Sequence, residues 1–310
     1  MARTMSIDAD DLARAAGLIR AGKLVAFPTE TVYGLGANAL DAEAVQSIYA
    51  AKGRPATSPL IVHVADVGMA RSLASEFGPA AEKLAAAFWP GPLTLVLPKS
   101  SLIPDVVTAG LPSVGLRVPS HPVALALIRA AGVPIAAPSA NRFTQLSPTR
   151  AEHVPEGIAD MVLDGGPTAV GIESTVLSLA GGQAVLLRPG MISQVEIEAA
   201  IGPVLLASEP EVGAAHASPG MHHKHYSPAT ALRFGVPLEG ERAAYLYVQN
   251  EKAASLAVRM PSDAASYGEV LYSTLHALDA DGFDAIVIEP LPEGVEWAGI
   301  RDRLQRAAVD

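Results

Sequence analysis

The stretch Lys52-Gly53-Arg54-Pro55-Ala56-Thr57-Ser58-Pro59-Leu60-Ile61-Val62-His63 leads from the end of a predicted helix into a short apolar strand. Only 22 of the 310 residues are Lys or Arg, against 32 Asp or Glu, yet two cations lie here within three positions. Two fixed positive charges at a helix end suit an anionic ligand such as a phosphate group. The same residues also fit an ordinary helix C-terminus, with Gly53 as the cap and Lys52 favoured by the helix dipole. Both interpretations stay open at this point.

A polar segment precedes this stretch. Residues 23–27 predict a buried strand, because the run is short, apolar and bounded by Gly22 and Pro28. Residues 28–36 then place hydroxyls, a carboxylate and two glycines at the carboxyl end of that strand, where ligands of open α/β sheets usually bind. The glycine pair alone is a weak indication of a phosphate site, since the rest of the dinucleotide fingerprint is missing.

Short apolar runs alternate with helical segments over residues 7–203, which predicts an α/β fold with an open twisted mixed sheet and helices packed on it. The pattern does not determine the strand order. Helices are predicted at 7–20, 42–51, 66–75, 80–88, 121–131 and 193–201. Strands are predicted at 23–27, 60–64, 93–97, 114–118, 134–137, 160–163, 175–179 and 184–188.

Residues 204–229 have the composition of a linker, with scattered Pro, Gly and Ala and little periodicity. We therefore predict three parts: a large α/β domain over 1–203, the linker over 204–229, and a small C-terminal α/β, Rossmann-like domain over 230–310. In the last part, strands are predicted at 230–235, 243–248 and 285–289, and helices at 251–259, 268–279 and 297–308. Nothing in the sequence indicates what this C-terminal domain does.

Composition excludes several classes of protein. The chain has no Cys, which excludes disulfides, cysteine nucleophiles and thiolate metal sites. No secretory signal and no uncharged apolar run of about 18 residues is evident, so we expect a cytoplasmic protein without a membrane partner. The formal net charge of −10 argues against tight binding to nucleic acid, because general polyanion binders usually carry excess positive charge.

Several short motifs together resemble the YrdC-type threonylcarbamoyl-AMP synthase family. Pro28-Thr29-Glu30-Thr31-Val32-Tyr33-Gly34-Leu35 is followed by Lys52-x-Arg54-Pro55-x-x-x-Pro59-Leu60, as in that family. Further matches follow in the family's order, at Leu116–Pro119, Pro138–Asn141, Ser147–Thr149, Glu173–Val176 and Leu187–Gly190. Residues 218–221 and 224–228 resemble the linker of the family's long form, which carries an extra C-terminal domain. This many motifs in one order make the resemblance specific.

The resemblance implies an L-threonylcarbamoyladenylate synthase, a nucleotidyltransferase. Such an enzyme joins L-threonine, bicarbonate or CO2, and ATP, with Mg²⁺ bridging phosphate oxygens, into threonylcarbamoyl-AMP and pyrophosphate. The product would pass to a tRNA threonylcarbamoyl-transfer enzyme that modifies adenosine beside the anticodon. Two alternatives stay open. A double-stranded RNA-binding module is disfavoured by the net charge, and a carbamoyl-transfer accessory protein by the lack of Cys for its usual zinc fingers.

The resemblance also implies roles for individual residues. Lys52 and Arg54 would be catalytic, by positioning ATP and neutralising charge on its phosphates. Tyr226 would reach the nucleotide because the linker folds back over the cleft. The implied L-threonine site comprises Thr31, His63, Arg117, Ala137 and Ser174. The implied ATP site comprises Lys52, Arg54, Ser58, Ser113, Ser139, Ser147, Arg188 and Tyr226.

Several of these residues also have a plainer explanation. His63 fits a core histidine, and Ser139 and Ser147 fit ordinary turns or helix caps. Arg117 lies in an apolar strand and needs a partner, which could be Glu30, Glu173 or a substrate carboxylate.

Two residues depart from the family pattern, and one cluster stands apart from it. Ser58 replaces a longer polar side chain, and Thr144 replaces a glycine that is common in its loop. Four linker histidines argue little for a metal site, because no carboxylate or Cys lies at a regular ligand spacing; they are His216, His222, His223 and His225. The metal ligands stay unidentified.

Overall fold

The computed structural model describes residues 7–207 and 225–308. Within these ranges the chain forms a ten-stranded mixed sheet and a separate four-stranded sheet, with helices packed on both. The predicted fold class is confirmed. Most of the predicted linker lies outside the described residues, and the domain boundaries stay a prediction.

The helices and strands are numbered in chain order. The helices α1 to α9 span Ala9–Arg20, Ala42–Lys52, Val67–Leu73, Pro79–Phe88, Asp105–Thr108, Pro122–Ala131, Gln194–Ile201, Ala264–Ala280 and Ala298–Ala307. The strands β1 to β14 span Val25–Pro28, Tyr33–Asn38, Ile61–His63, Leu93–Pro98, Ser113–Arg117, Ile135–Ala136, Met161–Val162, Thr175–Ser178, Val185–Arg188, Leu205–Leu206, Ala231–Phe234, Ala243–Tyr247, Leu256–Arg259 and Ala285–Ile288.

The large sheet has the order β10-β9-β8-β4-β5-β3-β6-β2-β1-β7 and combines parallel and antiparallel pairs. β3 runs parallel to β5, and the register pairs His63 with Arg117 at the carboxyl ends of both strands. The topology thus joins two candidate site residues that are more than fifty positions apart in sequence.

Helix α2 sets the position of the two cations in the opening stretch. The carboxylate of Asp41 caps its first turn by accepting hydrogen bonds from the backbone N–H groups of Glu43 and Ala44. The helix ends at Gly53, whose φ of 63° lies in the left-handed region that glycine tolerates. Lys52 therefore lies in the last helical turn, and Arg54 begins the loop that leads to β3.

Strand β2 was not among the predicted strands, because its glycines and hydroxyl-rich flank resemble a loop. It pairs antiparallel with β1 and β6 and is almost entirely buried. Gly36 is needed there, since a Cβ atom at this position would lie 2.6 Å from the Phe27 ring and 2.8 Å from Ile135. The glycine that suggested a loop thus permits close packing of a buried interior strand.

The small sheet has the order β11-β14-β12-β13, and its strands are all parallel, as in a Rossmann-like domain. The helix predicted at 251–259 is wrong, because residues 256–259 form strand β13. The Ala-rich composition favours a helix locally, but pairing with β12 overrides that preference.

At the carboxyl edge of this sheet, Glu289 follows β14 and binds the chain that leaves β12. Its carboxylate accepts hydrogen bonds from the backbone N–H groups of Val248, Gln249 and Asn250, at 2.6 to 2.9 Å. Desolvation alone would raise the pKa of Glu289, but these hydrogen bonds lower it below its usual value. The ionised carboxylate therefore holds this turn in place.

One hydrophobic cluster joins loops of the first part of the chain to the small C-terminal domain. Val32, Leu146 and Ile172 from the first part of the chain pack in one cluster with Tyr267 and Leu271 of α8. The interface between the two parts therefore includes apolar contacts.

None of the helices in the described ranges is both long and apolar enough to cross a membrane.

We predict that Gly36→Ala lowers the free energy of unfolding by roughly 1–3 kcal/mol, because its methyl group overlaps Phe27 and Ile135. Gly17→Ala is the matched control. Gly17 lies within α1 with open space around it, so the same change should stabilise the protein by about 0.5–1 kcal/mol. Urea denaturation of both variants checks this, and equal effects at the two sites would contradict it.

Candidate active site

A cleft with about 530 Å³ of empty space opens where several loops and strand ends of the large sheet meet residues 225–226. It contains nine of the thirteen predicted site residues: Thr31, Arg54, His63, Arg117, Ala137, Ser139, Ser174, Arg188 and Tyr226. Residues of both predicted sites, for L-threonine and for ATP, thus lie around one space. Lys52, Ser58, Ser113 and Ser147 do not line this cleft.

Arg117 lies at one end of the cleft and is 3% exposed. Its Nη2 atom lies 2.7 Å from Glu30 Oε1, while its Nη1 and Nε atoms donate hydrogen bonds to Thr31 Oγ1 and Gly91 O, respectively. Glu30 is therefore the structural partner that the sequence left undecided. The two hydrogen bonds use two of the five guanidinium N–H donors, so the side chain can still donate to a ligand carboxylate.

His63 lies beside Arg117 and packs edge-on against the Phe27 ring, with the ring centroids 6.2 Å apart. Burial, reinforced by the charge of Arg117, lowers the pKa of His63 to about 3. The imidazole is neutral at pH 7. Its buried Nδ1 atom has no hydrogen-bond partner among the described residues, which leaves a polar atom at the cleft for a ligand.

Ser174 connects the two ends of the cleft. Its hydroxyl lies 2.8 Å from Thr94 Oγ1, and Arg188 donates to its carbonyl oxygen at 2.9 and 3.1 Å. Arg188 is buried, and this burial lowers its pKa below the ordinary arginine value. The hydrogen bonds to Ser174 hold its guanidinium against the wall of the cleft.

Arg54 brings a second buried cation to this end of the cleft. It donates to Ser58 Oγ and to Pro59 O, so Ser58 supports Arg54 from behind. Burial lowers the pKa of Arg54 to about 10, and the side chain stays charged at neutral pH. Among the described residues it has no carboxylate within ion-pair distance, and its Nε atom has no hydrogen-bond partner. A buried guanidinium without a carboxylate partner would be stabilised by an anionic ligand.

Lys52 lies behind the wall of the cleft. Its Nζ atom donates to the carbonyl oxygens of Ser139 and Asn141, so it ties α2 to the loop that carries Ser139. Burial lowers the pKa of Lys52 well below its usual value, and the nearby charge of Arg54 lowers it further. Direct contact between Lys52 and ATP stays a prediction.

The last two predicted residues lie outside the cleft in different ways. Ser113 lines a separate small cavity together with Pro59 and Thr94. Ser147 is fully buried, and its hydroxyl donates to Glu173. Their contacts with ATP also stay predictions.

Glu173 is the main residue of the site that the predicted set lacks. It lines the cleft, and the sequence offered it only as a possible partner of Arg117. It instead pairs with Arg303 of α9, whose Nε atom lies 2.7 Å from Glu173 Oε2. Burial would raise the pKa of Glu173, but the charges of Arg303 and Arg188 lower it. The position of Glu173 within the motif Glu173-Ser174-Thr175-Val176 could have indicated that it belongs to the site. Arg303 lies in none of the motifs, so the sequence offered no such indication for it.

The end of the linker closes one side of the cleft. Tyr226 is 1% exposed, and its neighbour His225 also lines the cleft. The backbone N–H of Ser227 donates to Thr144 O at 2.9 Å, which ties this segment to the loop where Thr144 replaces the family's glycine. Thr144 adopts a φ of 69°, so this loop keeps a glycine-like backbone. His216, His222, His223 and Lys224 lie outside the described residues.

Comparison with known proteins places the chain in a family. A family model described as "Telomere recombination" matches residues 17–190, and one described as "Threonylcarbamoyl-AMP synthase, C-terminal domain" matches residues 192–309. The chain is 42% identical to the threonylcarbamoyl-AMP synthase of Bacillus subtilis, across 98% of its own length and 94% of the relative's. Identity to the Pyrococcus abyssi threonylcarbamoyl-AMP synthase is also 42%, across 95% and 93% of the two lengths.

A solved structure gives the same relationship. The crystal structure of P. abyssi Sua5 complexed with L-threonine matches with a TM-score of 0.92 and 40% sequence identity. The match covers 98% of this chain and 95% of the other.

The neutral state of His63 predicts a pH dependence of stability. Between its folded pKa of about 3 and the ordinary value of 6.5, the unfolded chain binds a proton that the folded chain excludes. Stability should therefore fall as the pH drops from 6.5 towards 3, by up to about 1.4 kcal/mol per pH unit from this residue. In His63→Gln this part should vanish, as measured by urea denaturation at pH 7.5, 6 and 5. The other histidines are present in both proteins, so identical pH profiles would refute the assignment.

Proposed function

Because the chain belongs to the threonylcarbamoyl-AMP synthase family, we propose that its cleft joins L-threonine, bicarbonate or CO2, and ATP into L-threonylcarbamoyl-AMP and pyrophosphate. The observation that carries the proposal is a buried cation, Arg54, that has no carboxylate partner in the described residues and shares a cleft with Arg117. One end of the cleft suits phosphates, and the other suits an amino acid.

At the amino-acid end, Arg117 donates to the carboxylate of L-threonine through the N–H groups that its own contacts leave over. Thr31, His63 and Ser174 supply neutral polar groups for the amine and the hydroxyl. The neutral His63 suits this role because a second cation there would repel a protonated amine. The backbone at Ala137 completes the pocket.

At the nucleotide end, Arg54 and Arg188 bind the phosphates of ATP, for which the planar guanidinium is well shaped. Ser139 and Tyr226 contact the nucleotide from the two sides of the cleft. Lys52 holds the Ser139 loop in position. We retain Ser58, Ser113 and Ser147 as part of the ATP site, with Ser58 acting through Arg54.

The reaction needs no nucleophile from the protein. The protonated amine of L-threonine first gives up a proton to solvent, and the neutral amine then adds to CO2 and releases a second proton to solvent as it becomes a carbamate. A carbamate oxygen then attacks the α-phosphorus of ATP, and the bond to the bridging oxygen breaks, so pyrophosphate leaves with the electron pair. The residues contribute by aligning the two reactants and by offsetting the charge on the phosphates.

Mg²⁺ is implied by the use of ATP. The described residues contain no group of three or more His, Asp or Glu able to hold a metal ion, and Glu30 and Glu173 are both paired with arginines. The residues therefore fit an ion that arrives with the phosphates of ATP, which is a common way for Mg²⁺ to be held. Bound there, Mg²⁺ would neutralise charge on the phosphate oxygens.

The product is a mixed anhydride, which water hydrolyses readily. Tyr226 is buried over the cleft, which supports a role for the linker in excluding water. We propose that the product passes to a transfer enzyme that modifies adenosine beside the anticodon of tRNA. A cytoplasmic location would follow from that partner.

Pyrophosphate release by the purified full-length chain tests the proposal. We expect release from ATP with Mg²⁺ that requires both L-threonine and bicarbonate. Arg71→Ala is the matched control for loss of an arginine, since Arg71 pairs with Glu82 on the surface. Release that ignores L-threonine would overturn the synthase assignment, and binding to double-stranded RNA without turnover would favour the RNA-binding alternative.

We also predict that arginines at the two ends of the cleft affect different ligands. Arg54→Ala should weaken ATP binding by about 1.5–3 kcal/mol, tenfold or more, because a charge-assisted contact is lost. L-Threonine binding should be nearly unchanged.

The converse variant is Arg117→Met combined with Glu30→Gln, which avoids leaving one charge of the pair buried alone. This variant should weaken L-threonine far more than ATP. Calorimetric titration of each ligand measures both effects, and equal losses for the two ligands in either variant would contradict the assignment.

A further inference from the structure

We propose that Arg303, a residue of the last helix, is a positioning residue of the nucleotide site. Helix α9 would then be part of the active site, and the small C-terminal domain would be required for ATP binding. The inference rests on the proposed function and deepens it, because it assigns a role to the C-terminal domain.

The guanidinium of Arg303 is completely buried against the first part of the chain. Its Nε atom lies 2.7 Å from Glu173 Oε2, and its Nη2 atom donates to the backbone oxygen of Glu173 at 3.1 Å. Its Nη1 atom donates to Pro189 O at 3.0 Å, next to Arg188. One planar side chain thus fixes two segments that line the phosphate end of the cleft.

Arg303 also supports the ring of Tyr226. Its Cζ atom lies 5.3 Å from the centroid of that ring, within the range of a cation–π contact. Tyr272 of α8 lies on the same ring, with centroids 6.1 Å apart, and its hydroxyl donates to Glu173 Oε2 at 3.2 Å. The C-terminal domain therefore holds Tyr226 and Glu173 at the same time.

A further contact extends this support to Ser147. The Nε2 atom of His276 lies 3.1 Å from Ser147 O, and the hydroxyl of Ser147 donates to the other carboxylate oxygen of Glu173. Removing Arg303 would take away the ion-pair partner of Glu173, so the nearby Arg188 would have to offset more of the carboxylate's negative charge on the wall of the cleft. That charge would repel the phosphates of ATP.

The backbone keeps α9 close enough for these contacts. A Cβ atom on Gly299 would lie 2.9 Å from backbone atoms of Gly190, so only glycine permits this approach. Arg303 lies one helical turn after Gly299, on the same face of α9. The close contact therefore aims Arg303 at Pro189 and Glu173.

Three variants of the full-length chain test the inference through the KM values for ATP and L-threonine. Arg303→Met removes the charge, and we expect the KM for ATP to rise about tenfold or more while the KM for L-threonine is unchanged. Arg303→Lys keeps the charge but lacks the planar fork, so the chain should fold while the KM for ATP still rises severalfold. Arg301→Met is the control, because Arg301 lies on the same helix and, among the described residues, its hydrogen bonds go to Pro292 O and Gly294 O of the C-terminal domain.

Two results would overturn the inference. One is a folded Arg303→Lys protein with a wild-type KM for ATP, and the other is an Arg303→Met protein in which both KM values rise together. If Arg303→Met does not fold, Arg303→Lys decides alone. Calorimetric titration with ATP measures the same effect without turnover, so a wild-type chain that binds ATP but makes no product would count against the proposed function and not against the role of Arg303.

Discussion

The burial of positive charge is the constraint on which the rest of the structure depends. A guanidinium or ammonium group is stable inside a protein only when carboxylates, carbonyl oxygens or a ligand compensate for the lost water. This chain buries five such groups around one cleft, each no more than 6% exposed: Lys52, Arg54, Arg117, Arg188 and Arg303. The strand ends, the loops between them and the last helix are arranged so that each cation meets an oxygen atom.

The buried cations are not all balanced by carboxylates, and this difference distinguishes the two ends of the cleft. Glu30 balances Arg117 at one end, and Glu173 and Asp302 balance Arg303 at the other. Arg54 receives only a hydroxyl and a carbonyl oxygen among the described residues. The positive charge that remains uncompensated therefore lies beside the phosphate end, where the proposed substrate carries its greatest negative charge.

The sequence predicted those features that depend on local patterns of residues. Apolar runs located most strands, capping residues located most helices, and the motifs named most residues of the cleft. The parallel pairing that brings His63 beside Arg117 was not visible, because strand order depends on contacts between distant segments. Strand β13 and the pairing of Glu173 with Arg303 were missed for the same reason, since each forms only when remote parts of the chain meet. The confirmed fold and family therefore came from patterns, and the charge partners came from the structure.

Glu289 gives the small domain an unusual character. A parallel sheet of this kind commonly presents free N–H groups at its carboxyl edge, where a phosphate can dock. Here the chain supplies its own anion, since a tethered carboxylate already occupies the three amides after β12. A free phosphate would have to compete with a group whose local concentration is fixed by the fold. The small domain thus has a Rossmann-like parallel sheet in which the place where a phosphate could dock is already filled by its own carboxylate.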